Sequence, residues 1–140
     1  MHLVLWDQAR NKVSRTRVST TLWKIDACPM TYYSVVPTKQ GFAIVWPTEG
    51  QVYFARLDHD GVLQAPFEIK TPGMSGMRTG MQALPTAAGE TLVAWKKSGQ
   101  LSWQLYDAKG QPTGDPASVK SSGNGVAGVL APGGGFVLFR

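Results

Sequence analysis

Two hairpin-like patterns recur along this 140-residue chain at a spacing of roughly 49 residues, and a repeat of that length restricts the fold more than any other feature. The first pattern is an apolar pair, a Pro-containing turn ending in Gly, then an apolar strand. It is read at VVPTKQGFAIVW (35–46), ALPTAAGETLVAW (83–95) and VLAPGGGFVLFR (129–140). Pro37, Pro85 and Pro132 stand 48 and 47 residues apart, Pro setting φ in the turn and Gly supplying a conformation that other residues resist. The second pattern is an alternating strand that ends at an Asp: HLVLWDQARNKV (2–13), YFARLDHDGVLQ (53–64) and WQLYDAKGQPTG (103–114). Asp7, Asp58 and Asp107 are spaced by 51 and 49. An Asp at a strand end accepts backbone N–H groups ahead of it, so turn structure accounts for these acids without catalysis.

Set in order, the two hairpins give a four-stranded unit, A to D, of the kind that builds propeller blades. The predicted strands are C and D at 2–7 and 12–19, then a full blade at 31–36, 42–47, 51–58 and 62–69. A second full blade follows at 80–84, 90–96, 100–107 and 111–119, and A and B close the chain at 125–131 and 135–140. The Gly, Pro, Val, Thr and aromatic content suits short strands joined by turns. The expectation is therefore an all-β chain, residues 1–140 forming one β-propeller half: C–D strands within 2–19, blades at 31–69 and 80–119, A–B strands within 125–140. Three blades do not close a ring, whereas two chains supply six. A homodimer is expected, the C-terminal strands of one chain pairing with the N-terminal strands of the other. The alternative is a piece of a longer product that meets a different half.

The segments ETLVAWKKSGQLSWQLYDAKGQPTGDP and GVAGVLAPGGGFVLFR resemble blades of the sialidase-like six-bladed β-propeller group, including its uncharacterised exo-sialidase-like repeats. That resemblance implies Asp-box turns, Ser-x-Asp-x-Gly-x-x-Trp, between the third and fourth strands. Asp58-His59-Asp60-Gly61 and Asp107-Ala108-Lys109-Gly110 occupy the place but lack the Ser and the Trp. It also implies a pair of carboxyl groups and an arginine cluster in an active member, against which this sequence offers Asp26, Glu49, Arg78 and Arg140. Some sugar-binding lectins similarly assemble a six-bladed ring from short chains.

On such a ring, ligands meet the face made by D-to-A and B-to-C loops. The ligand-binding candidates there are Trp23, Lys24, Asp26, Tyr32, Glu49, Met77, Arg78, Lys96, Lys97 and Asn124, with Met74 beside them. Aromatic rings with a few polar groups suit a sugar or a peptide, and Trp23 admits both packing and ligand contact. His2 and His59 lack metal-ligand spacing, no phosphate-cradling or nucleophile-elbow motif occurs, and no catalytic residue, cofactor or metal is expected. The net charge of +5 is dispersed, which argues against nucleic acid as partner. No apolar run is long enough for a membrane-spanning helix. MHLVLWDQAR lacks the pattern of a signal peptide, so a cytoplasmic location is the default expectation, and Cys28 has no partner for an internal disulfide. Three functions stay open: a carbohydrate- or small-anion-binding propeller, a protein-interaction scaffold, and a fragment of a sialidase-like hydrolase.

Overall fold

The computed structural model describes residues 1–24, 33–74, 80–123 and 125–139. Among these the chain forms twelve strands and no helix: β1 His2–Asp7, β2 Lys12–Arg17, β3 Ser34–Thr38, β4 Gly41–Thr48, β5 Gln51–Leu57, β6 Ile69–Met74, β7 Met81–Pro85, β8 Thr91–Lys97, β9 Gln100–Tyr106, β10 Pro112–Lys120, β11 Ala127–Leu130 and β12 Phe136–Phe139. They make four antiparallel sheets: the hairpin β1-β2, the meanders β3-β4-β5-β6 and β7-β8-β9-β10, and the hairpin β11-β12. The fold is all-β, and its two four-stranded sheets have the strand order of blades.

The turns explain why the chain reverses where it does. Glu49–Gly50 and Ser98–Gly99 each place two consecutive residues at positive φ (50° and 72°, 51° and 76°), the two-residue geometry whose twist matches antiparallel strands. Asp58 Oδ1 accepts the N–H of Asp60 at 3.0 Å and of Val62 at 2.8 Å, and Asp107 Oδ1 accepts those of Lys109 and Gln111 at 2.8 Å each. These two acids hold equivalent turns, as their spacing predicts. The proline alignment needs correction. Thr86–Glu90 and Ala131–Gly135 carry the same pair of backbone bonds, so Pro85 corresponds to Leu130, and Pro132 lies inside the turn. The β3–β4 turn is shorter, with only Lys39 and Gln40 between the paired Thr38 and Gly41.

Strand D of the first full blade also differs from expectation, which placed it at 62–69. After the Asp58 turn only the Leu57–Leu63 bridge continues the ladder, and β6 starts at Ile69. Pro66 has no N–H to extend the hairpin and Ala65 O is taken by Arg56 Nη2, and β5 resumes against β6 across an irregularity between Gln51 and Tyr53. The other strands lie within a few residues of their predicted places.

Successive sheets stack face to face through two apolar layers. Ala43, Val45, Val52 and Phe54 of the β3–β6 sheet pack against Met81, Ala83, Val93, Trp95 and Tyr106 of the β7–β10 sheet. On its other face Ile44, Trp46, Tyr53, Ala55 and Leu57 meet Val18, Met1 and Leu3 from the first hairpin and its flank. Fully burying one such Val, Leu or Phe contributes about 1.5–3 kcal/mol, so these layers hold the sheets together. Aromatic pairs sit in both: Phe54 and Tyr106 with centroids 5.3 Å apart, Trp46 and Tyr53 at 5.9 Å. Burial pushes the Tyr106 hydroxyl up to about 12. The first strands β3, β7 and β11 are neighbours in that order. Gly128 permits the last approach, since a Cβ there would lie 2.7 Å from Leu84 Cδ1.

Candidate functional site

The antiparallel registers put the β4–β5 and β8–β9 turns at one end of the sheets, together with the segment that follows β2. That segment is fastened twice. Glu68 accepts from Ser19 Oγ at 2.9 Å, from the N–H of Thr20 at 3.2 Å and Thr21 at 3.1 Å, from Thr21 Oγ1 at 3.1 Å, and from Thr20 Oγ1. Burial alone raises the Glu68 pKa, but these donors outweigh it and hold the carboxyl below its usual value. Farther on, Thr48 Oγ1 accepts the Lys24 N–H at 3.0 Å and donates to Leu22 O at 2.9 Å, while Glu49 N–H reaches Lys24 O at 3.1 Å. Three predicted residues, Trp23, Lys24 and Glu49, are thereby brought together, with Trp23 55% exposed. The backbone thus places an exposed aromatic residue, a cation and an acid on neighbouring positions, each of them exposed.

Lys97 and Met74 belong to a separate cavity of about 320 Å³, whose walls include Pro72, Trp95, Ser98 and Gln100. Lys96 does not join the candidate ligand face. It is 2% exposed, and its Nζ donates to Ser121 O at 2.5 Å, Ser121 Oγ at 2.6 Å and Ser122 O at 2.8 Å. Strand alternation puts Lys96 on the face of Leu92 and Ala94, where its ammonium fastens β8 to the segment after β10. Asp26, Tyr32, Met77, Arg78, Asn124 and Arg140 lie outside the described residues.

Sequence reasoning passed over a cavity of about 490 Å³ at the opposite end of the sheets, between the turns of the two full blades. Lys39, Phe42, Arg56, Asp58, Gln64 and Lys109 are among its walls. Arg56 donates through Nη2 to Ala65 O at 2.8 Å and through Nη1 to Ala108 O, tying one blade's turn region to the next. Burial lowers its pKa, against the opposing pull of Asp107. A signal was present in the repeat: counting back from Asp7, Asp58 and Asp107, the same strand position holds Leu5, Arg56 and Leu105. Among the described residues no group of three or more His, Cys, Asp or Glu side chains is placed to hold a metal ion. No family model matches this sequence, and no curated protein or solved structure matches it.

Proposed function

We propose that this chain is a building block of a six-bladed β-propeller, completed by a second copy, that binds a carbohydrate or small anion without catalysis. One observation carries the assembly: each outer hairpin exposes apolar side chains at positions that are buried in the full blades. Trp6, 61% exposed, corresponds to Leu57 and Tyr106, both buried against the preceding sheet. Exposed Val4 corresponds to buried Ala55 and Gln104. At the other hairpin Phe139, 72% exposed, corresponds to Val45 and Ala94, and exposed Val137 to Ala43 and Leu92, all buried towards the following sheet. The first hairpin thus lacks a preceding neighbour and the last lacks a following one. β3 fits the same scheme, because exposed Val35 corresponds to buried Ala83 and faces where the partner's β11 would lie.

In the proposed ring, β12 pairs with the partner's β1, completing a four-stranded sheet at each of two identical head-to-tail junctions. Covering these faces would remove Val4, Trp6, Val137 and Phe139 from water, which favours closure. Binding is supported by the Trp23, Lys24 and Glu49 cluster, which the two-fold would repeat around one end of the channel. A protein-ligand reading draws on exposed Leu22 beside Trp23.

Light scattering at micromolar concentration should give a mass of two chains, and Trp6→Asp and Phe139→Asp should each give a folded monomer. A folded wild-type monomer, or a mass of three chains, would overturn the six-bladed ring. For the ligand, glycan-array binding lost in Trp23→Ala supports the sugar reading. One stoichiometric protein captured without glycan binding would replace it.

A further inference from the structure

The cavity between the turns of the two full blades has the chemistry of a site, and it lies within one chain. Its walls bring Lys39, Arg56 and Lys109 together with one lining carboxylate, Asp58, while Asp107, whose Oδ1 is held by its own turn, acts on Arg56 from outside the lining. Asp58 is already engaged by its own turn: Oδ1 accepts the two backbone N–H groups, and Oδ2 accepts from Gln64 Nε2 at 3.3 Å. Arg56 is the informative member. An arginine replaces the leucine found at the same position of the other two repeats, Leu5 and Leu105, although a leucine there suffices to build the strand. Gly110 makes room for it, since a Cβ at Gly110 would stand 3.3 Å from Arg56 Nε and 2.8 Å from Ile69 Cδ1.

The guanidinium is held in place but not saturated. Of its five N–H donors, one reaches Ala65 O and one Ala108 O, and Nε is buried with no hydrogen-bond partner among the described residues. A planar cation anchored by two carbonyl oxygens keeps its remaining donors in a fixed orientation, which is what recognition of an oxyanion requires. Thr38, Thr91 and Gln40 add neutral donors, and Phe42 supplies an apolar wall. The internal repeat supplies no equivalent cation at the other two positions, so the cavity is particular to this pair of blades.

We propose that this cavity binds the oxyanion group, carboxylate or phosphate, of a small molecule, with Arg56 as the fixed anchor and Lys39 and Lys109 as flanking cations. It is distinct from the Trp23 cluster at the other end of the sheets, and ring closure has no part in it.

The test is titration of isotope-labelled protein with three probes that share a ring and differ in charge: glucose 6-phosphate, glucuronate and glucose. Expected is a saturable shift of the amide resonances of residues 38–42 and 107–110 with one or both anionic probes and none with glucose, weakening as salt is raised. A response to the phosphate alone or to the glucuronate alone identifies which oxyanion source the cavity accepts. Arg56→Leu installs the residue of the sister repeats and should weaken binding at least about tenfold, the scale of one lost charge-assisted contact. The double variant Lys39→Ala/Lys109→Ala changes two turn residues and should weaken it similarly, which keeps the test decisive if Arg56→Leu unfolds. Absence of any shift at these amides with both anionic probes at millimolar concentration overturns the proposal. So does an equal response to glucose, or undiminished affinity in the double variant.

Discussion

The Lys96 ammonium exchanges water for three oxygen acceptors, two of them backbone carbonyls of the segment after β10. A Lys96→Met variant keeps the stem's volume but strands those acceptors, so urea unfolding should show stability reduced by about 2 kcal/mol. A neutral outcome would mean that water replaces the ammonium without loss. Glu68 gives a prediction with a sign. Its folded-state pKa lies below the unfolded value, so its contribution is present above the ordinary carboxyl range and is lost as pH falls through the folded pKa. Stability of the wild type should therefore fall more steeply below about pH 4.3 than that of Glu68→Gln, read by denaturant midpoints at successive pH values. Lys96 was assigned from the sequence to the candidate ligand face, although it continues the alternation of Leu92 and Ala94 into the buried face. The Glu68 clamp was not legible, since its donors sit 47 to 49 residues away and no local pattern announces a contact of that range.

Strands whose two neighbours are both in the same sheet were placed well by pattern alone, because alternation and turn chemistry there agree. β6 was displaced because VLQ at 62–64 alternates like a strand, whereas the ladder stops just after it at Ala65–Pro66, where Pro66 has no N–H to give and Ala65 O is taken by Arg56. Turn geometry at the element scale can be tested with two glycines in different surroundings. Gly41 opens β4 at φ 140°, and a Cβ there would fall 2.2 Å from Leu57 O, so Gly41→Ala must move backbone as well as strain it. Gly50, at φ 72°, has nothing within 4 Å. Thermal unfolding should show Gly50→Ala losing about 1 kcal/mol, the conformational cost alone, and Gly41→Ala clearly more. Equal losses would mean that the β4–β5 ladder gives way easily at its end.

For the whole molecule, the repeat period led directly to sheets of four strands, and the stacking of those sheets follows from which face of each strand is apolar. The candidate ligand face was only partly readable, for the sequence does not say which side chains converge and which, like Lys96, turn inward. The cavity around Arg56 went unread because it arises from turns of two different blades. If two copies share the closing sheets, folding and association are coupled, and the thermal midpoint should rise with protein concentration, by contrast with Trp6→Asp, whose midpoint should stay constant. The opposed exposed faces of the two hairpins carry one more consequence. If each junction of the proposed ring joins the front of one chain to the back of another, a chain damaged only at Phe139 still presents a sound first hairpin. In cells making both damaged and intact chains, such a variant would enter mixed rings with one good seam and one bad, and so would interfere with the normal protein rather than merely fail beside it.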